Sequence, residues 1–399
     1  MLPGCPAPTE ERRRALAWGL VLSLAVLTAA SFAAVGFSAN APLIRDTFGL
    51  SHLAIGAITS AIYAAASVTS VIGGRLTDRV GPGPVLVCSL LALALGVGVA
   101  ALAPGAAVFF LGVLVCGMGY GAANPPTNIL ANPSSAGRRG LAMSAKQSGI
   151  PLGGIAAGVG LPPMAAAAGW RWAMAAPVAL CALLVVAAAR VRRGVVNAAT
   201  LEREQPRPEV VLVASPGYAF GFLMAGVQAT VFTFLTVYLT EDRHLSVGRA
   251  GSLLAVLMAG GLAGRPVWGW FSDRHKDDRI RVLQAASLLS CAGLALVPVL
   301  GVPALAAVTL VIGFSAVGWN GVYLATVAES VAPDLIGTTT GMALLLVNAG
   351  AVVLPPAYGT LIGLAGWPAG WYGCAVLTLL ALAVLQLSRS SGNQEAADG

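Results

Sequence analysis

The sequence predicts an all-α membrane protein with twelve transmembrane helices in two halves of six. Composition is the first reason: 57% of the 399 residues are hydrophobic and 10% are charged, where a soluble domain carries roughly 25% charged. Distribution is the second. The charges are bunched, and between the bunches run apolar segments of about 18–25 residues, the length a helix needs to cross the hydrocarbon layer. Lipid offers the backbone no hydrogen bonds, so such a run must satisfy its own donors and acceptors as a helix. Membrane strands would instead alternate polar and apolar residues in shorter pieces. The third reason is a six-residue pattern that occurs twice, half a chain apart.

The first span, 15–38, comes after Arg12-Arg13-Arg14. With Ala39-Asn40-Ala41 behind it, this stretch imitates a cleaved leader, but its apolar run is longer than a leader core requires. The next five spans fall at 53–74, 84–102, 106–126, 142–165 and 172–189. The second set falls at 216–239, 250–271, 282–301, 304–327, 337–363 and 371–388. Between spans six and seven lies the longest polar stretch, with Arg190, Arg192, Arg193, Arg203 and Arg207 among Glu202, Glu204 and Glu209. The expected division is an N-terminal bundle over 1–189, a linker over 190–215, a C-terminal bundle over 216–390 and a short tail over 391–399.

The net charge of +7 does not indicate nucleic acid, because the arginines form no basic stripe and no aromatics interleave with them. The positive-inside rule accounts for them. With the loops alternating, the linker side collects 18 of the 23 Lys and Arg. The opposite side holds four: Arg45, Arg171, Arg243 and Arg249. That split predicts a multi-pass protein of the cytoplasmic membrane with both termini and the linker in the cytoplasm. The six cysteines, at 5, 88, 116, 181, 291 and 374, lack metal-ligand spacing and read as apolar filler. No nucleophile elbow or phosphate loop is visible. No enzyme, metal or cofactor is therefore expected.

The repeated pattern is G-x-x-x-D-R. Gly74, Asp78 and Arg79 carry it after span two, and Gly269, Asp273 and Arg274 after span eight; 273 minus 78 is 195, about half the chain. Each copy stands where its half passes from a second to a third helix. The pattern resembles the Major Facilitator Superfamily, whose loop between helices two and three reads G-x-x-x-D-R-x-G-R-[KR], with a degenerate copy between helices eight and nine. Gly81 also matches, whereas Pro82 and Gly83 stand where basic residues are usual. The resemblance implies two six-helix bundles related by a pseudo-two-fold axis, around a central cavity that opens alternately to either side. In physical terms, glycine lets two helices approach closely, and the acid can cap or pair with a neighbouring helix. These six residues are expected to latch one state. The plainer reading is a solvated turn carrying positive-inside charge.

Ionisable groups inside a membrane are expensive, so each one is a functional candidate. All sixteen Asp and Glu fall in tails, loops or span ends, with Glu329 nearest an interior, and His52, His244 and His275 fall in loops. Arg265 is the exception, in Gly264-Arg265-Pro266 on span eight. Its planar fork suits a carboxylate. The competing reading is a packing arginine that meets carbonyls, Asp78 or Asp273. The placement resembles the monocarboxylate porters, where an Arg-Pro in the eighth helix contacts the substrate carboxylate. Gly261 replaces the acid found one turn earlier in some of them, and their first-helix lysine has no match. Gln228, Asn320, Tyr120, Asn124 and Asn348 are mid-span polar groups that need partners. The superfamily resemblance, in which helices one, four, seven and ten line the cavity, favours the first four. Tyr63 and Trp319 are candidate aromatic walls. Gly149-Ile150-Pro151-Leu152-Gly153-Gly154 resembles the antiporter motif G-P-x-x-G-G with its proline displaced, and Val113 stands where the fourth-helix arginine of drug antiporters would be.

The expectation is a transporter of a small organic solute working by alternating access, the solute being an anion such as a monocarboxylate bound by Arg265, Gln228, Asn320, Asn124 and Tyr120. A coupling proton or ion is an admissible further partner. The chain is expected to act as a monomer in the lipid bilayer. An efflux pump for hydrophobic compounds and a non-transporting receptor on the same scaffold are the alternatives.

Overall fold

A computed structural model describes residues 10–131, 143, 145–190, 216–274, 279–329 and 336–398. Apart from Arg190, the linker at 190–215 lies outside these, as do Cys5 and His275. Ten helices each cross the membrane once: Ala17–Ala39, His52–Val80, Pro82–Leu102, Ala106–Leu130, Ala145–Ala168, Trp170–Ala189, Gly217–Glu241, Val247–Arg274, Arg279–Leu296 and Val302–Glu329. An eleventh, Thr339–Gln386, is long enough for two crossings. It breaks at Gly366, where φ is 79° and ψ 173°, and so supplies spans eleven and twelve.

That break has a counterpart. The chain passes from span five to span six at Gly169, with φ 87° and ψ 153°. Both glycines sit in a backbone region closed to most side chains, and a tryptophan follows each, Trp170 and Trp367. They lie 197 residues apart (366 minus 169), close to the offset of the G-x-x-x-D-R repeat. Two features at nearly the same offset mark the two six-helix bundles as structural repeats.

Two boundaries differ from the sequence expectation. Spans two and eight run to Val80 and Arg274, so both G-x-x-x-D-R copies occupy helix ends rather than loops. Span two stops because Gly81 takes φ 89° and Pro82 opens the next helix, a position where the missing proline N–H costs nothing. Span ten is not one regular helix. Its α-helix ends at Ile312, Gly313–Val317 form a π turn, and helix resumes at Asn320.

The two bundles meet chiefly at the end away from the linker. There Thr59 of span two and Thr233 of span seven share a hydrogen bond of 2.6 Å, and Thr236 donates to the Ser38 carbonyl at 2.6 Å. Glu241, closing span seven, accepts from Arg45 on the short helix Ala41–Phe48 and lies 2.9 Å from His52 Nε2. Spans five and eight touch backbone to backbone: a Cβ on Gly251 would stand 2.5 Å from the Gly158 oxygen.

Candidate functional site

Span eight sets the geometry. Gly261, Gly264 and Trp268 recur at helical spacing and turn one face onto span ten. A Cβ on Gly264 would lie 2.2 Å from the Phe314 oxygen, and the Trp268 indole donates to that same oxygen at 2.8 Å. Phe314 belongs to the π turn. A wide turn disturbs the regular backbone ladder, and Trp268 supplies a donor from outside it.

Arg265, one residue further round span eight, reaches span five instead. Its Nη1 donates to the Gln147 backbone carbonyl at 2.6 Å. Its Nε is shut from solvent and has no partner. No acid pairs with this guanidinium among the described residues. The side-on edge of the fork, Nε with Nη2, is a surface that accepts a carboxylate bidentately, and no protein acceptor occupies it among the described residues. Tyr63 of span two and Tyr120 of span four stand edge-to-face, with ring centroids 6.1 Å apart, both within electrostatic range of Arg265. Asn124 lies one turn beyond Tyr120 on the same face, half-buried, with no side-chain hydrogen bond among the described residues. Asn348 of span eleven is likewise half-buried.

A second polar group forms in the C-terminal bundle. The Gln228 side-chain oxygen accepts from Asn320 Nδ2 and from Trp319 Nε1, each at 3.1 Å. Trp319 is fully buried against Phe220 and Tyr323. The structure thus joins Gln228 to Asn320, and Arg265 to the neighbourhood of Tyr120. No hydrogen bond or ion pair links the two groups among the described residues.

Sequence reasoning missed Lys146, Gln147, and the pair Arg45 and His52. Lys146, counted with the loop charges, is completely buried in span five, where its ammonium rests on the side-chain oxygen of Asn128 from span four. Its position inside the expected 142–165 span was the available signal. Gln147 had none, because its part is played by a backbone carbonyl. Arg45 and His52 looked like ordinary loop residues until the fold brought Glu241 to both.

The G-x-x-x-D-R copies sit at the linker end. Asp78 and Arg79 are exposed, as are Asp273 and Arg274, and Asp78 is engaged in an interaction. Arg274 lies over the Trp270 ring, 3.9 Å from its centroid. Gly74 permits ordinary contact with Pro125, 3.9 Å from a Cβ there, whereas the tight approach is at Gly73, 3.1 Å from the Ala122 Cα. A Cβ on Gly269 would meet nothing within 4 Å. The close packing expected of Gly269 therefore falls to Gly264 in this conformation. Glu329 pairs with Arg279 at 2.7 Å. A crevice of about 570 Å³ between spans three and six is no rival site: its Arg171 is already bonded to the Ala101 and Ala103 carbonyls.

Comparison with known proteins agrees with this architecture. Residues 21–355 match the Major Facilitator Superfamily. The gentisate transporter of Corynebacterium glutamicum is 27% identical over 371 residues, covering 86% of this chain and 81% of its own length. Monocarboxylate transporter 13 of Rattus norvegicus is 30% identical over 284 residues, covering 67% and 63% respectively. Among solved structures, a bacterial homolog to the human lysosomal transporter Spinster, inward-facing and occupied, superposes with a TM-score of 0.76 at 16% identity, over 96% of this chain and 98% of that one. With most of the chain matched, the bundles repeated and the fold shared, this protein belongs to the Major Facilitator Superfamily of secondary transporters.

Proposed function

We propose that this transporter carries a small organic acid and holds its carboxylate on Arg265. The observation that supports the reading is the side-on edge of that guanidinium, which carries permanent charge and has no protein acceptor among the described residues. A charge placed in a membrane protein needs a counter-charge, and an anionic solute supplies it. Relatives that carry gentisate and monocarboxylates support the same chemistry. The pair Tyr63 and Tyr120 beside Arg265 favours an acid with a flat, apolar body. Gln228 and Asn320 orient the far end of the solute once the bundles close around it. An efflux role for hydrophobic cations lacks support, since the acids of the described spans, Asp78, Glu241, Asp273 and Glu329, all stand at helix ends and none at mid-membrane depth.

The linker side is assigned to the cytoplasm on the charge asymmetry. Contact between the bundles is concentrated at the other end, so this conformation opens inward. The test is equilibrium binding of benzoate to purified, folded protein. Wild type binds and Arg265→Ala does not. Equal binding by both would remove Arg265 from the solute site.

A further inference from the structure

Gln147 does two things at once. Its backbone carbonyl anchors Arg265 Nη1 at 2.6 Å, while its own side-chain oxygen is shut from solvent and has no hydrogen-bond partner. A buried, unpaired amide oxygen is destabilising, and a protein removes that cost by pairing the atom with water, with protein or with a ligand. The only other orphaned polar atom on these neighbouring residues, among those described, is Arg265 Nε. One is a donor and the other an acceptor. They belong to residues already bonded to each other, in the electrostatic neighbourhood of the Tyr63 and Tyr120 rings.

We infer that Gln147 is a specificity-determining residue that accepts a hydrogen bond from a ring hydroxyl of the solute, so that the site selects hydroxylated aromatic acids over plain ones. This rests on the reading of Arg265 as the carboxylate anchor and adds the group that reads the remainder of the molecule. One solute then answers both orphans: its carboxylate meets the Arg265 edge, and its hydroxyl meets Gln147. A hydroxyl is both donor and acceptor, so the match survives rotation of the glutamine amide by half a turn. A site built to hydrogen-bond a hydroxyl rejects the analogue that lacks it, because the buried partner is then left unpaired. Tyr120 and Asn124 line the same side of span four but have no unpaired atom that is shut from solvent, so Gln147 is the residue that pays when the hydroxyl is missing.

The experiment compares benzoate with 2-, 3- and 4-hydroxybenzoate, by calorimetric binding to full-length protein in nanodiscs. Wild type is expected to bind the best of the three hydroxybenzoates about tenfold or more above benzoate, one well-made buried hydrogen bond. Gln147→Met fills the same space without an acceptor, and there the ratio should fall close to one. Gln147→Asn keeps an amide on a shorter arm and should give an intermediate ratio; it also serves if the methionine variant does not fold. A wild type that binds benzoate as tightly as every hydroxybenzoate overturns the inference and leaves the carboxylate reading intact. So does a full ratio in the folded variants. If wild type binds none of the four acids, the carboxylate reading fails first and this one with it.

Discussion

Lys146 is completely buried, and its ammonium rests on the side-chain oxygen of Asn128, eighteen residues earlier and on the neighbouring helix. Hydrogen bonds to charged groups are worth about 1.5–3 kcal/mol, and stranding a buried charge costs more than removing it. Asn128→Leu should lower stability by roughly 2 kcal/mol, and the double variant with Lys146→Met should recover much of that loss. Thermal unfolding in detergent measures both. A double variant as unstable as the sum of the singles would refute the pairing.

Arg265→Lys keeps the charge but loses the side-on edge. Benzoate affinity should fall by roughly tenfold to a hundredfold, short of the complete loss expected for Arg265→Ala. Titration of both variants separates a need for charge from a need for geometry.

Glu241→Gln removes the charge that holds Arg45 and His52 across the bundles. Both pairs are about a quarter exposed, so the loss is modest, about 1 kcal/mol or a fivefold shift toward opening at that end. Spin labels at Leu53 and Leu364, both exposed and on opposite bundles, should report a longer distance in the variant. An unchanged distance distribution would deny the cluster any part in closure.

Trp268→Phe leaves the Phe314 carbonyl without its indole donor. A loss of about 1–2 kcal/mol is expected. Because Trp268 and Arg265 are on adjacent turns of one helix, benzoate affinity should fall as well, though neither Trp268 nor Phe314 is hydrogen-bonded to the guanidinium. Stability and affinity moving apart would show that the π turn does not brace the site.

The orientation is checked by cysteine accessibility. Asp242 is exposed at the closed end, which makes it a better probe than its half-buried neighbour Glu241. A cysteine at 242 should react with an impermeant maleimide in intact cells, and one at 204 should not. Reaction at 204 alone would invert the topology.

Much of the fold was legible because lipid simplifies the code. Span positions follow from length and apolarity, and ten of the helices fall where the hydrophobic runs put them. Span ten was not legible in detail: its π turn answers to Gly313, where a Cβ would stand 1.9 Å from the Leu257 oxygen on span eight. A single sequence cannot show contact with a helix some fifty residues earlier. Arg265 was legible as an isolated charge, and Gln228 and Asn320 as amides in search of a partner, which they find in each other. Gln147 was not: the carbonyl that holds Arg265 has no sequence signature, and an amide so near the start of the expected 142–165 span does not stand out from the loop before it. Nor was the Arg45, His52 and Glu241 cluster, since ordinary loop-end residues become a junction only when two bundles bring them face to face. The Gly169 and Gly366 turns were readable in principle, as two Ala-Gly-Trp triplets at nearly the repeat offset.

The contact of Gly158 with Gly251 has a kinetic meaning. Helices that interlock by side chains must withdraw them before they can slide, and each withdrawal adds to the barrier. At Gly158 and Gly251 there is little to withdraw beyond the Pro162 ring and the Ala255 methyl. Spans five and eight can therefore roll on one another as a bearing, at little activation cost. The barrier to opening is then set by the polar contacts of Thr59, Thr236 and Glu241, which must be broken. The speed of the transport cycle is accordingly tuned at the rim of the closed end, by residues that never meet the solute, while the bearing keeps the axis of the motion fixed.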